Sequence, residues 1–93
     1  MNEERVNFFK YLFDKEGDKE DSTILNIVFV SFISSDSYAT IDQCKDSLEQ
    51  LKAMDEGLKK STIKMSKKME WQDRIDNGIK ICERDLLELM KVG

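Results

Sequence analysis

The amino-acid sequence predicts an all-α fold, and three features of the sequence indicate it. The chain of 93 residues contains no proline and only four glycines, so few positions would interrupt a helix. Apolar residues recur at spacings of three and four, the period of a helix with one buried face. Apolar residues are 40% of the chain, which is too many for a disordered segment. We therefore expect a single domain covering residues 1–93.

Residues 3–16 are predicted to form the first helix. Asn2 is a suitable N-cap, acidic residues follow it at the positive end of the helix dipole, and Gly17 is a suitable stop. The apolar stripe of this helix consists of Val6, Phe9, Leu12 and Phe13. The charged residues after Gly17 are expected to form a loop.

Residues 22–34 are compatible with two structures. Their β-branched and aromatic content favours a strand, whereas Ser22 as an N-cap and the length of the segment favour a buried helix. Because no second strand is evident, we expect a helix that completes a short N-terminal helical pair. The alternative is an α+β fold in which residues 23–33 form a strand paired across a dimer.

The C-terminal half is predicted to be a long antiparallel helical hairpin, on which the N-terminal pair packs. Thr40 and Gln43 form a capping box that begins the first arm. When the chain is folded back near residue 63, the apolar residues of the two arms face one another in a constant register, which places the turn within Ser61–Ser66. The facing pairs are Ile41 with Leu86, Cys44 with Cys82, Leu48 with Ile79, Leu51 with Ile75, and Leu58 with Met69.

This register sets Asp55 opposite Gln72 near the seam. An interruption of the helix at Gly57 would relieve that contact, and Asn77-Gly78 is a second candidate interruption. Oppositely charged residues four positions apart support helix on both arms. They are Asp55 and Lys59, Glu56 and Lys60, Glu70 and Arg74, and Asp76 and Lys80. The aromatic residues Phe8, Tyr38 and Trp71 are expected in the core or the seam.

The composition argues against an enzyme. The chain has no histidine, which removes the usual general base near neutral pH and most zinc sites. No glycine-rich phosphate loop is present. The carboxylates of Asp14–Asp21 alternate as in a calcium loop, but Leu25 occupies the position where a bidentate glutamate is required. We expect no catalytic residue, no metal and no cofactor.

A cytoplasmic location is expected, which is the host cytoplasm if the chain is phage-encoded. No segment reaches the roughly 20 apolar residues that cross a bilayer, and the N-terminus lacks the basic start of a signal peptide. The two cysteines lie in apolar stretches, so we expect reduced, buried thiols.

Charge is unevenly distributed along this chain of net charge −4. A basic tip at the predicted turn contains Lys59, Lys60, Lys64, Lys67 and Lys68. Lysines can contact nucleic-acid phosphates, but no arginine or aromatic residue lies among them for base recognition. We therefore favour a solvated hairpin tip over direct nucleic-acid binding.

Carboxylates form the other candidate site. An acidic row lies on one side of the predicted helix and consists of Asp42, Asp46, Glu49 and Glu56. An N-terminal acidic patch adds Asp14, Glu16, Asp18, Glu20 and Asp21. Carboxylates about 5–6 Å apart, one helical turn, can imitate the charge pattern of a DNA backbone. The alternative is an ordinary solvated helix face.

In length, charge and lack of proline and histidine, the chain resembles the small acidic early proteins of tailed phages. It is similar to the Arn-type anti-restriction proteins of T-even phages, and the segments that suggest this are Asp14–Asp21 and Asp42–Glu49. The resemblance implies a DNA mimic that inhibits a DNA-binding or restriction-type host protein. The sequence departs from this pattern in its small net charge and in its lysines, which would repel a basic groove unless they point away from it. The residues leave open an adaptor that binds partner helices through an apolar seam or patch, and a homodimer through Ile24–Ile33.

Overall fold

A computed structural model describes residues 3–33 and 40–92, and these residues form four helices. The helices are α1 (Glu3–Glu16), α2 (Thr23–Ile33), α3 (Ile41–Lys60) and α4 (Met65–Val92). The described residues include no strand, so the all-α prediction is confirmed for this part of the chain. Residues 23–33 adopt the helix and not the alternative strand.

The predicted caps set the starts of α2 and α3. The Ser22 hydroxyl accepts a hydrogen bond from the Leu25 amide at 3.3 Å. The Thr40 hydroxyl accepts one from the Gln43 amide at 3.1 Å. Each bond satisfies an amide that lacks a partner in the first turn of its helix. The cap proposed at Asn2 lies outside the described residues.

Helices α3 and α4 form the predicted antiparallel hairpin, with a turn at residues 61–64. Three contacts along the seam share the expected register. Cys44 Sγ donates to the Cys82 carbonyl at 3.2 Å, Gln72 Nε2 donates to Asp55 Oδ1, and Lys68 Nζ donates to the Lys59 carbonyl at 3.1 Å. The polar pair Asp55 and Gln72 is thus accommodated by a hydrogen bond.

The expected interruptions at Gly57 and Asn77-Gly78 are wrong, because both sites lie within continuous helices. Gly57 instead permits α1 to cross α3 with the two backbones in contact. A Cβ atom added at Gly57 would lie 2.7 Å from Phe9 Cβ, 2.8 Å from the Lys10 nitrogen and 2.9 Å from the Val6 carbonyl oxygen. Only the absence of a side chain allows this approach.

The core lies where α1 and α2 meet the hairpin, and Trp71 is at its centre. The Trp71 ring is edge-on to Phe13 at 5.6 Å between centroids, and its centroid is 5.9 Å from that of Phe29. Trp71 is buried as expected, whereas Met69, which was predicted to lie in the apolar stripe facing Leu58, is 62% exposed. Aromatic rings of α1 and α2 pack against the side of α4 that carries Trp71. That side is therefore buried, and Met69 faces solvent. The predicted stripe of α1 is buried throughout.

The end of α1 is hydrogen-bonded to the turn of the hairpin. Asp14 Oδ1 accepts from the Ser61 hydroxyl at 2.7 Å and from the Thr62 amide at 2.8 Å, while Asp14 Oδ2 pairs with Lys10 at 2.7 Å. Asp18 Oδ1 accepts from the Lys64 amide at 3.0 Å, just before α4 begins. The hydrogen bond from Lys10, followed by those from Thr62 and Ser61, holds the pKa of Asp14 well below its usual range.

The predicted charge pairs form only in part. Lys59 Nζ lies 3.0 Å from Asp55 as expected, but it also lies 3.9 Å from Glu56, which was assigned to Lys60. Glu70 pairs with Lys67 at 3.5 Å instead of Arg74. Arg74 does not pair with Glu70 because its side chain packs on the aromatic core beside α2.

We expect Gly57→Ala to lower the free energy of unfolding. The substitution gains about 1 kcal/mol of helix propensity, but overpacking costs about 1–3 kcal/mol, and two of the three clashing atoms are backbone atoms that cannot move away. Urea denaturation would measure the difference. Lys52→Ala, an exposed site on the same helix, serves as the control and should change stability little. Equal or greater stability of Gly57→Ala would contradict the close contact.

We expect Asp14→Ala to lower the free energy of unfolding at neutral pH by about 1–2 kcal/mol, the cost of losing a carboxylate that accepts hydrogen bonds from the Ser61 hydroxyl and the Thr62 amide. The folded-state pKa of Asp14 is depressed, so its stabilisation is present above the ordinary pKa of 3.8 and is lost as the pH falls further. The stability difference between wild type and Asp14→Ala should therefore shrink in acid. Glu20→Ala, an exposed neighbour, is the control, and a pH-independent difference would count against the assignment.

Candidate interaction surfaces

The acidic row is shorter in the structure than in the sequence. Asp42, Asp46 and Glu49 are exposed on the first half of α3, and Asp46 lies 3.9 Å from Arg5. The next position of the row, Ala53, is buried in the core because α1 crosses that side of α3. Glu56, next to the crossing at Gly57, is only partly exposed and lies close to Lys59. The structure thus brings together three of the four predicted carboxylates.

The N-terminal acidic patch is largely engaged within the fold. Asp14 and Asp18 accept hydrogen bonds from the hairpin turn, as described above. Glu16 is buried and pairs with Lys19. Glu20 and Asp21 remain exposed. The sequence could not show the hydrogen bonds to Asp14 and Asp18, because the donors Thr62 and Lys64 lie 48 and 46 positions away along the chain.

Internal contacts also occupy part of the basic tip. Lys59 pairs with Asp55, Lys67 pairs with Glu70, and Lys68 donates to the last turn of α3, where a positive charge complements the helix dipole. Lys60 and Lys64 have exposed side chains. Several of the positive charges are therefore neutralised locally or used to end a helix.

The apolar outer face of α2 is the third surface, and sequence reasoning named its segment but not its orientation. Helix α2 contains no charged residue. Its inner side buries Leu25 and Phe29, whereas Ile24, Ile27 and Val30 are 51%, 64% and 52% exposed. These residues lie three positions apart and therefore share one side of the helix. We define the α2 outer face as Thr23, Ile24, Ile27, Val30 and Ser31.

Two open grooves adjoin α2: one lies between α2 and α1, and the other lies on the outer side of α2. One groove has a volume of about 440 Å³ and is lined by Glu4, Arg5, Phe8, Phe9, Val28, Phe32 and Gln50. The other, of about 610 Å³, is lined by Asp21, Thr23, Asn26, Ile27, Val30 and Ser31. Phe8, expected in the core, is 53% exposed and contributes to the first groove. The expectation for Tyr38 concerns a residue outside the described ranges.

Polar and aromatic contacts hold the inner side of α2 on α4. An Arg74 guanidinium nitrogen donates to Asn26 Oδ1 at 2.8 Å. The same guanidinium lies over the Trp71 ring at 4.1 Å and over the Phe29 ring at 4.9 Å, a cation–π arrangement. The α2 outer face is thus presented by a helix whose inner side is anchored on α4.

The two cysteines are free and buried, as expected. Burial, together with the neighbouring Cys82 and Asp85, raises the pKa of the Cys44 thiol. Because the thiolate is the reactive form, Cys44 is a poor nucleophile at neutral pH. Within residues 3–33 and 40–92, no three or more cysteine, aspartate or glutamate residues are grouped to hold a metal ion. No helix in these ranges is long and apolar enough to span a membrane.

Comparisons of the chain with protein-family models, with curated proteins and with solved structures find no match. The surfaces themselves therefore provide the basis for a functional assignment.

Proposed function

We propose that this chain is a non-catalytic binding protein that engages a partner protein through the α2 outer face. One observation carries the proposal: an uncharged, anchored helix turns three aliphatic side chains in a row toward solvent. Covering a half-exposed isoleucine or valine contributes about 1 kcal/mol of favourable free energy. A contiguous apolar patch on a small protein is typical of an interaction site.

The expected partner surface is apolar and helical. Ile27 and Val30 line an open groove on the outer side of α2, and an opposing helix can place its side chains there. No charge pair is required across such an interface. Binding should therefore persist at high ionic strength, unlike a complex held by exposed charges.

DNA mimicry is the second candidate function, and the exposure of Asp42, Asp46 and Glu49 favours it. These carboxylates are about 6 Å and 4.5 Å apart along the axis of α3. One DNA strand carries a phosphate about every 3.4 Å along its axis, so the three carboxylates form a sparser row of negative charge that a basic groove of a restriction-type or other DNA-binding host protein could accept. The engagement of Asp14 and Asp18 at the hairpin turn limits the charge available for this role.

A pull-down from the lysate of the natural or host cell separates the two candidates. The baits are wild type, Ile27→Glu, Met69→Glu and the triple charge reversal Asp42→Lys, Asp46→Lys, Glu49→Lys, each checked for helicity. Met69 is as exposed as Ile27 but lines a separate groove between α3 and α4 near the hairpin turn, so it controls for a new charge on an apolar surface.

The proposed function predicts a partner that is retained at high salt by wild type, Met69→Glu and the triple variant, and lost with Ile27→Glu. A partner that is released by salt, lost with the triple variant and retained by Ile27→Glu would favour DNA mimicry and overturn the assignment to α2. Mass spectrometry of the retained protein identifies the partner in either case.

A further inference from the structure

We propose that the α2 outer face binds the same face of a second copy of this chain, with the two α2 helices antiparallel about a two-fold axis at Ile27. This inference rests on the proposed function, because it uses the same face and names its occupant. A two-fold interface requires a surface that is complementary to itself. The residue spacing, the charge and the shape of the face each meet that requirement.

The residue spacing of the face is symmetric about Ile27. Ile24 precedes Ile27 by three positions and Val30 follows it by three. Thr23 and Ser31 are four positions away on either side. In an antiparallel pair centred on Ile27, Ile24 of one copy lies level with Val30 of the other, and Thr23 lies level with Ser31. Aliphatic side chains thus meet aliphatic ones, and hydroxyls meet hydroxyls.

Charge favours the antiparallel orientation. The α2 outer face carries no charge, so two copies approach without repulsion, whereas the exposed acidic row would oppose carboxylate with carboxylate. A parallel pair would set the exposed Asp21 beside Asp21 of the partner chain. An antiparallel pair separates these carboxylates by roughly 15 Å, the length of α2, and opposes the two helix dipoles favourably.

Shape provides the third support. An open groove that includes Thr23, Ile27, Val30 and Ser31 runs over the outer face itself, so the side chains of a second helix can be received there. The groove that contains Phe8 continues the apolar surface from Val28 and Phe32 of α2 to α1.

Area sets the expected strength of the pair. The exposed parts of Ile24, Ile27 and Val30 in two copies amount to a few hundred Å², well below the roughly 1,200 Å² at which standard interfaces begin. The Phe8 groove has to be covered as well to approach that value. We therefore expect a reversible dimer that dissociates on dilution.

Sedimentation velocity tests the association. The wild-type chain should pass from monomer to dimer between low micromolar and several hundred micromolar concentration. Ile27→Glu should remain monomeric over this range, because it places two carboxylates against each other on the two-fold axis. Met69→Glu should associate like wild type. A wild-type chain that stays monomeric, or an Ile27→Glu chain that associates equally well, overturns the proposal.

Thiol cross-linking tests the orientation. Ile24→Cys and Val30→Cys are prepared separately, and disulfides are formed with oxidised glutathione; the native cysteines are buried and provide a low background. The antiparallel pair predicts that a mixture of the two variants cross-links far better than either variant alone. Cross-linking of each variant with itself would indicate a parallel pair and overturn the register.

The pull-down and the sedimentation experiment fail in distinguishable ways. A monomeric wild type together with loss of another protein from the Ile27→Glu bait refutes the second copy as occupant and leaves the proposed function standing. If Ile27→Glu changes neither the association state of the chain nor the protein that it captures, both the second copy as occupant and the proposed function are refuted.

Discussion

The contact between α1 and α3 at Gly57 determines where the other elements lie. Because the two backbones touch there, the end of α1 arrives at the hairpin turn, where Asp14 and Asp18 accept the hydrogen bonds of that turn. The chain then leaves α1 beside Ile63, and α2 packs on the aromatic cluster with Ile27 outward. The same crossing buries Ala53 and interrupts the acidic row of α3.

Local signals in the sequence predicted the secondary structure well. Ser22 and Thr40 begin α2 and α3 as expected, since a cap depends only on residues within one turn. The hairpin register was also predictable, because two apolar stripes can be aligned only one way across a short turn. Gly57 was misassigned because a glycine that breaks a helix and one that admits a neighbouring helix look the same in a sequence. Trp71 is buried and Met69 is exposed because aromatic rings of α1 and α2 pack on Trp71, and the sequence of α4 alone does not show those contacts.

The candidate sites were less predictable than the fold, because their availability depends on contacts between distant residues. Asp14 belongs to an alternating acidic segment, yet its carboxylate faces Ser61 and Thr62 across the fold. The composition of α2 is apolar on all sides, which predicts burial without showing that one side lacks a neighbour. Of the described side chains of α2, the other three helices fully bury the apolar residues Leu25 and Phe29. The charge pattern of the sequence therefore predicts a larger acidic site than the exposed carboxylates form. The apolar pattern does not show that one side of α2 is exposed.

Closing the chain between the contacting residues costs less entropy in the seam of the hairpin than in the attachment of α1. Lys68 reaches Lys59 across nine positions, whereas the Thr62 amide reaches Asp14 across 48. Contacts close in sequence form at smaller entropic cost, so the hairpin is expected to assemble from its turn before α1 docks. During synthesis the order is reversed, because α1 and α2 leave the ribosome before Gly57 and Trp71 exist to bury them. Helix α2, the most apolar helix described, is thus synthesised before the residues that bury it. The nascent chain is most prone to aggregation until those residues have been added.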